Sequence, residues 1–156
     1  MTDIGAFPAI HNVLYSGDNI QSFTASGTIT AGQVVAIDAT GETLTVRAAV
    51  AEAGERPVGV AIMSVASGAQ VPVAMTGCIC YVANADDTAG IDAGDWLTTN
   101  DNTVGGTVSA QSIAAESGAT AAIYDTVIGY AVGDIGKGAT GLMMIHPQTI
   151  TRPNAS

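Results

Sequence analysis

Basic side chains are nearly missing from this sequence. Its 156 residues include 4 Lys and Arg against 14 Asp and Glu, for a formal net charge of -10, and no Lys or Arg stands between Arg56 and Lys137. Phosphate neutralisation needs clustered cations, so no nucleic-acid partner is expected. Charge of either sign is scarce, at 12% of residues, about half of the roughly 25% usual in globular domains. With 47% hydrophobic residues, the chain is the reverse of a disordered one, which combines low hydrophobicity with high charge. Leucine, the usual bulk of helical cores, occurs only 4 times. The only cysteines are Cys78 and Cys80. A structural zinc site needs about four ligands, and the only histidines are His11 and His146. On a strand, residues i and i+2 share a face with Cα atoms about 6.8 Å apart, the outer limit for a disulfide. Two small buried hydrophobes are therefore expected at these positions. Met1–Leu14 lacks a basic n-region and a continuous apolar run, so it does not read as a secretory signal. No charge falls between Val58 and Ala85, but Gly59, Ser64, Gly68, Pro72 and Gly77 divide that stretch. A membrane span needs about 20 mostly apolar residues, so consecutive buried strands are expected and no membrane partner.

What is abundant points to β structure. Val, Ile and Thr total 47 residues, with 27 Ala and 19 Gly. β-branched side chains suit a pleated surface, and glycine suits tight turns. The chain also repeats itself. Ile29-Thr-Ala-Gly32 followed by Gln-Val-Val-Ala-Ile37 matches Ile91-Asp-Ala-Gly94 followed by Asp-Trp-Leu-Thr-Thr99. Val58-Gly59-Val60-Ala61 and then Gly68-Ala69 match Ile128-Gly129-Tyr130-Ala131 and then Gly138-Ala139. Internal repeats decide architecture before anything else. The expected fold is all-β: a small barrel or β-tulip-like domain with pseudo-twofold repeat halves of about 27–77 and 89–147. The turn glycines would be Gly32, Gly59, Gly68, Gly94, Gly129 and Gly138. Residues 1–22 read as an apolar N-terminal arm, 23–147 as a single β domain, and 148–156 as a frayed polar tail. Thr43–Arg47 reads as a period-2 strand with Leu44 and Val46 on one face. Pro72 suggests an edge strand, and Ser112–Thr126 allows at most one short helix.

No catalytic constellation emerges. Gly136-Lys-Gly138-Ala-Thr-Gly141 matches G-x-G-x-x-G, but the segment after it reads as a strand, whereas a dinucleotide site needs a helix. Asp86, Asp87, Asp92 and Asp95 lack the spacing of a calcium loop and read as solvated loop carboxylates. His146 reads as packing, and Trp96 as a core or interface residue in the place of Val34 or Val35. Asp125, Tyr124 and Tyr130 are a pocket candidate without local support. No enzyme activity, cofactor or metal is expected.

The motifs from Tyr15 to His146, in their order, resemble a known family. They are Tyr15-Ser-Gly-Asp18-Asn-Ile20, Gly27-Thr-Ile-Thr-Ala-Gly32-Gln-Val-Val, Val58-Gly-Val-Ala61, Gly68-Ala69-Gln-Val-Pro-Val73, Thr76-Gly77-Cys78, Ile91-Asp-Ala-Gly94-Asp and Ile128-Gly-Tyr-Ala131 with Gly138-Ala139. This order is similar to the capsid-decoration, or head-stabilising, proteins of tailed phages and related viruses. The resemblance implies a β-barrel or β-tulip domain on the outer surface of an icosahedral virion shell. It would bridge major capsid protein subunits, commonly as a homo-trimer. This chain departs from the family pattern by its longer arm, the Ser109–Ala122 insert and the two cysteines. The arm carries the expected capsid contacts: Phe7, Pro8, Ile10, His11, Leu14 and Tyr15. The alternative is a ligand- or carbohydrate-binding β-barrel module of a viral fibre or cell surface, for which Trp96 and the tyrosines would matter instead.

Overall fold

The structure, a computed structural model, describes residues 13–40, 43–50, 55–85, 89–100, 105–111 and 123–152. They form eleven strands and, among the described residues, no helix: β1 (Leu14–Ser16), β2 (Ile20–Ala25), β3 (Val34–Ile37), β4 (Thr45–Ala48), β5 (Pro57–Ala61), β6 (Gln70–Ala74), β7 (Ile79–Ala83), β8 (Trp96–Asn100), β9 (Thr107–Ala110), β10 (Ile123–Ala131) and β11 (Thr140–Arg152). β2–β6 close into a barrel of order β2-β4-β3-β5-β6, and the other strands form a sheet of order β1-β7-β11-β10-β8-β9. The all-β expectation holds.

The repeat is real in the hydrogen-bond network. β3 pairs antiparallel with β4 and β5, as β8 does with β9 and β10. β6 pairs antiparallel with β2 and β5, as β11 does with β7 and β10. The first half closes through parallel pairing of β2 with β4 at Ala25↔Val46. The second half repeats that closure as a single parallel bridge, Asn84↔Val108. β7–β11 are thus a second barrel, closed by one bridge. β1 takes part of the remaining edge of β7, pairing Leu14 with Cys80.

Two buried clusters follow from strand alternation, since successive side chains face opposite sides. Phe23, Ala25, Ile29, Val35, Val46, Ala61, Val71 and Val73 fill the first barrel. Val34, Ala36, Val60 and Ala74 point out of it and join Leu97, Val108, Ile128, Met143 and Ile145 of the second barrel in one larger cluster. The barrels therefore share a continuous core. Among the described residues Phe23 is the one aromatic side chain inside the first barrel, so Phe23→Ala is expected to cost about 3–5 kcal/mol.

Four expectations change. Leu44 does not share a face with Val46: it precedes β4, at φ 58°, and is 53% exposed. Pro72 is not on an edge, because β6 pairs with β2 opposite Ser22 and with β5. Its lack of an N–H is tolerated because β5 has ended at Ala61, and the Pro72 carbonyl still accepts the Ile62 N–H at 3.1 Å. The tail expected from Gln148 is strand as far as Arg152, held by β10, whose Val127 to Ile123 pair with Gln148 to Arg152. Within the segment allowed a helix, Ile123–Thr126 is strand, and residues 112–122 lie outside the described residues.

Candidate interaction surface

The predicted capsid contacts divide. Phe7, Pro8, Ile10 and His11 lie outside the described residues. Leu14 is half-buried against the shared core, while Tyr15 is 63% exposed and meets Tyr81 edge-on with ring centroids 6.4 Å apart. Val13 is buried, and its carbonyl accepts the Tyr81 N–H at 2.8 Å. The chain is therefore anchored to the second barrel from Val13 onward.

The six glycines serve two purposes. Gly32, Gly68, Gly94 and Gly138 have positive φ and are turn residues as expected. Gly59 and Gly129 are not turn residues; they lie inside β5 and β10, in the Gly-x-Ala strands. A Cβ there would run into the carbonyl oxygens of Ala74 and Met144 respectively. The Ala-Gly turns are built alike. Gln33 Oε1 accepts the Thr30 N–H at 2.8 Å, and Asp95 Oδ2 accepts the Asp92 N–H at 3.0 Å. Ser64 Oγ accepts the Ala31 N–H, and Asp134 Oδ1 the Ala93 N–H, both at 2.9 Å. Asp95 thus serves its own turn, while Asp86 and Asp87 lie outside the described residues. The Gly136–Gly141 match is a turn entering β11, with no helix after it.

One row of side chains differs sharply between the halves. In the first barrel Val34, Val60, Ala74 and Ile20 are successive cross-strand partners, and the first three are fully buried. The equivalent row in the second barrel is Trp96, Tyr130, Met144 and Ile79. All four are half-buried. Trp96 and Tyr130 meet edge-on at 5.6 Å, and the exposed His146 ring stacks on Trp96 at 6.3 Å. No local sequence pattern marks this cluster, because these residues are far apart in the chain and meet only through strand neighbours. Trp96 stands in the place of Val34, one of the two positions expected. Tyr124 and Asp125 stand on β10, opposite Thr151 and Ile150.

The barrels are stitched where the β8–β9 hairpin meets β3 and β4. The Val34 N–H donates to the Gly106 carbonyl at 2.8 Å, and the Gly106 N–H to the Ala49 carbonyl at 2.7 Å. Gln33 Nε2 donates to the Gly105 carbonyl at 2.7 Å. Beside them the buried Glu55 accepts the Val50 N–H at 2.8 Å, Arg47 Nη1 at 3.1 Å and Thr99 Oγ1 at 3.2 Å. A buried carboxylate is tolerable only when partnered in this way. Cys78 and Cys80 are free and buried, as expected, and burial, with Cys78 adding to it, pushes the Cys80 thiol up to about 12. It is therefore a packing group and not a nucleophile at neutral pH.

Among the described residues no group of His, Cys, Asp and Glu is placed to hold a metal ion, and no helix is long and apolar enough to cross a membrane. No protein-family model and no curated protein matches the chain. Among solved structures, the chain is similar in fold to the N-terminal base of the head fibre protein gp8.5 of bacteriophage phi29. The TM-score is 0.51 at 20% identity, over 81% of this chain and 92% of that one. The fold is thus a known one, shared with a protein of a phage head.

Proposed function

We propose that this chain is a structural, non-enzymatic component of a phage head. In this reading it is a decoration protein that binds the outer surface of an icosahedral shell, bridges major capsid protein subunits and acts as a homo-trimer. The observation that carries the reading is the fold shared with a phage head-fibre base over 92% of that chain. The order of motifs from Tyr15 to His146 supports it independently. The N-terminal arm, with Phe7, Pro8, Ile10, His11, Leu14 and Tyr15, is the contact assigned to the capsid. Ordering such an arm on docking, or adding it to a neighbour's sheet edge, gives a stable contact to a preassembled shell. A net charge of -10 suits a part that stays soluble when free and faces away from packaged nucleic acid.

The test is co-sedimentation with undecorated shells of the cognate major capsid protein, with saturation measured against shell subunits. Saturable co-pelleting supports the assignment. A chain that binds no shell, yet binds glycans through Trp96 and Tyr130, belongs to the alternative class of fibre or cell-surface binding modules.

A further inference from the structure

The internal repeat offers a comparison with a partner already in place. Within one chain, the β8–β9 hairpin of the second barrel meets the first at Val34, the first residue of that row, and at Gln33, Ala49, Val50 and Glu55 beside it. Its contacts come from Thr99, Gly105 and Gly106. The equivalent hairpin of the first barrel, β3–β4, occupies the same place in its own half: Val46 pairs with Ile37 as Val108 pairs with Thr99. By that register Ile37 is the counterpart of Thr99, and Leu44 is the counterpart of Gly106. Both counterparts are apolar and open, with Ile37 40% and Leu44 53% exposed.

Leu44 carries a second signal. It is the one non-glycine residue with positive φ among the described residues, at 58°, where its counterpart Gly106 has φ 82°. A branched side chain in the left-handed region is disfavoured, and such outliers persist where the side chain serves a purpose. Glycine at that position in the second barrel allows close approach, since a Cβ on Gly106 would lie 2.6 Å from Gln33 Cβ. In the first barrel the same position instead presents a large apolar side chain to solvent. Meanwhile the second barrel offers Trp96, Tyr130 and Met144 half-buried in the row that is fully covered in the first.

We infer that the Trp96 end of the Trp96–Tyr130–Met144 face takes the β3–β4 hairpin of a second copy of this chain, with Leu44 as the inserted side chain and Ile37 flanking it. The contact continues the one that joins the two barrels within each chain. It is heterologous, head to tail, so successive copies close a ring or extend. An aromatic row receiving an apolar knob is the kind of contact that dominates interface energetics. The inference deepens the reading of a self-associating head component and rests on it for the existence of the oligomer.

The experiment is light scattering and sedimentation of the full chain with Leu44→Asp, Leu44→Gly and Trp96→Ala. The wild-type chain is expected to be oligomeric, and each variant to weaken self-association by at least about tenfold, the equivalent of losing one modest hot-spot contact. Leu44→Gly keeps the test independent of folding, since glycine accepts the positive φ and far-UV circular dichroism should show the native β content retained while association falls. An equimolar mixture of Leu44→Asp and Trp96→Ala should form a dimer that cannot grow, because each such pair retains one intact knob and one intact face. A monomeric wild-type chain, or an oligomer indifferent to all three variants, overturns the inference. So does recovery of the wild-type oligomer in the mixture. An oligomer that responds as expected but binds no shell sinks the capsid assignment and leaves this interface standing. Shell binding by variants with an unaltered oligomer does the reverse.

Discussion

At the scale of single residues, the two strand glycines are the sharpest constraint. Gly59 and Gly129 hold equivalent places, and in each case a Cβ would meet a backbone carbonyl across the strand pair, that of Ala74 or Met144. Backbone cannot step aside as a flexible side chain can. Gly59→Ala and Gly129→Ala are each expected to cost about 3 kcal/mol, the upper part of the range for overpacking a filled core. Gly68→Ala is the control, since nothing lies within 4 Å of its added Cβ and only its φ of 86° opposes the change. About 1–2 kcal/mol is expected there. Urea titration of the three variants separates steric from conformational cost. Cys80 gives a different expectation. Burial raises its thiol from 9.0 to about 12, so the unfolded chain ionises first as the solution becomes alkaline. Stability is unaffected below pH 9.0 and falls as pH rises from 9.0 toward 12. The steepest contribution is about 1.4 kcal/mol per pH unit. Cys80→Ala should remove that part of the alkaline slope, read from urea midpoints at several pH values.

At the scale of elements, hairpins carry both the stitching and the information. Glu55 ties β4, through Arg47, to β8, through Thr99. Glu55→Ala leaves the Val50 N–H without its acceptor and takes the carboxylate away from Arg47, and about 3 kcal/mol of destabilisation is expected. Glu55→Gln should recover part of it by restoring one accepting oxygen, as thermal melts will show. In the β3–β4 hairpin, the hydroxyls of Ser26 and Thr40 and the Thr40 N–H hold the exposed Asp38 carboxyl down at about 2. Its contribution is present above the ordinary value of 3.8 and is lost as pH falls from there toward 2. Carboxyl NMR should show the midpoint rising in Thr40→Ala. These elements also explain what was legible in the sequence. The Ala-Gly turns and Gly-x-Ala strands could be read because each fixes a backbone geometry that few residues satisfy, so the same letters recur in both halves. The aromatic row could not be read, because Trp96, Tyr130 and His146 are brought together by the order β11-β10-β8, which no local pattern encodes. Leu44 misled the alternation argument for the same reason: period-2 patterning assumes extended backbone, and its φ of 58° breaks the period.

At the scale of the whole molecule, Val13 is the first residue the described fold holds, and the capsid contact is proposed mainly for the arm before it. Val13 is buried, its carbonyl takes the Tyr81 N–H, and Leu14–Ser16 covers part of the β7 edge. Removing β1 would expose that edge and part of the shared core, so a truncation that includes Val13 and Leu14 confounds folding with docking. Removing residues 1–12 leaves every described contact in place. Such a variant is expected to melt within about 2 °C of the full chain, less than the roughly 4 °C that 1 kcal/mol produces in a domain of this size. It should keep the oligomer proposed through Leu44 and Trp96 but lose saturable binding to undecorated shells by at least about a hundredfold, since Phe7, Pro8, Ile10 and His11 are the capsid contacts proposed. Tyr15→Ala in the full chain tests the boundary: its ring is 63% exposed, so its loss should weaken shell binding without moving the melt. If the truncated chain still decorates shells at full stoichiometry, the arm is not the clamp, and the contact must lie on the barrels themselves.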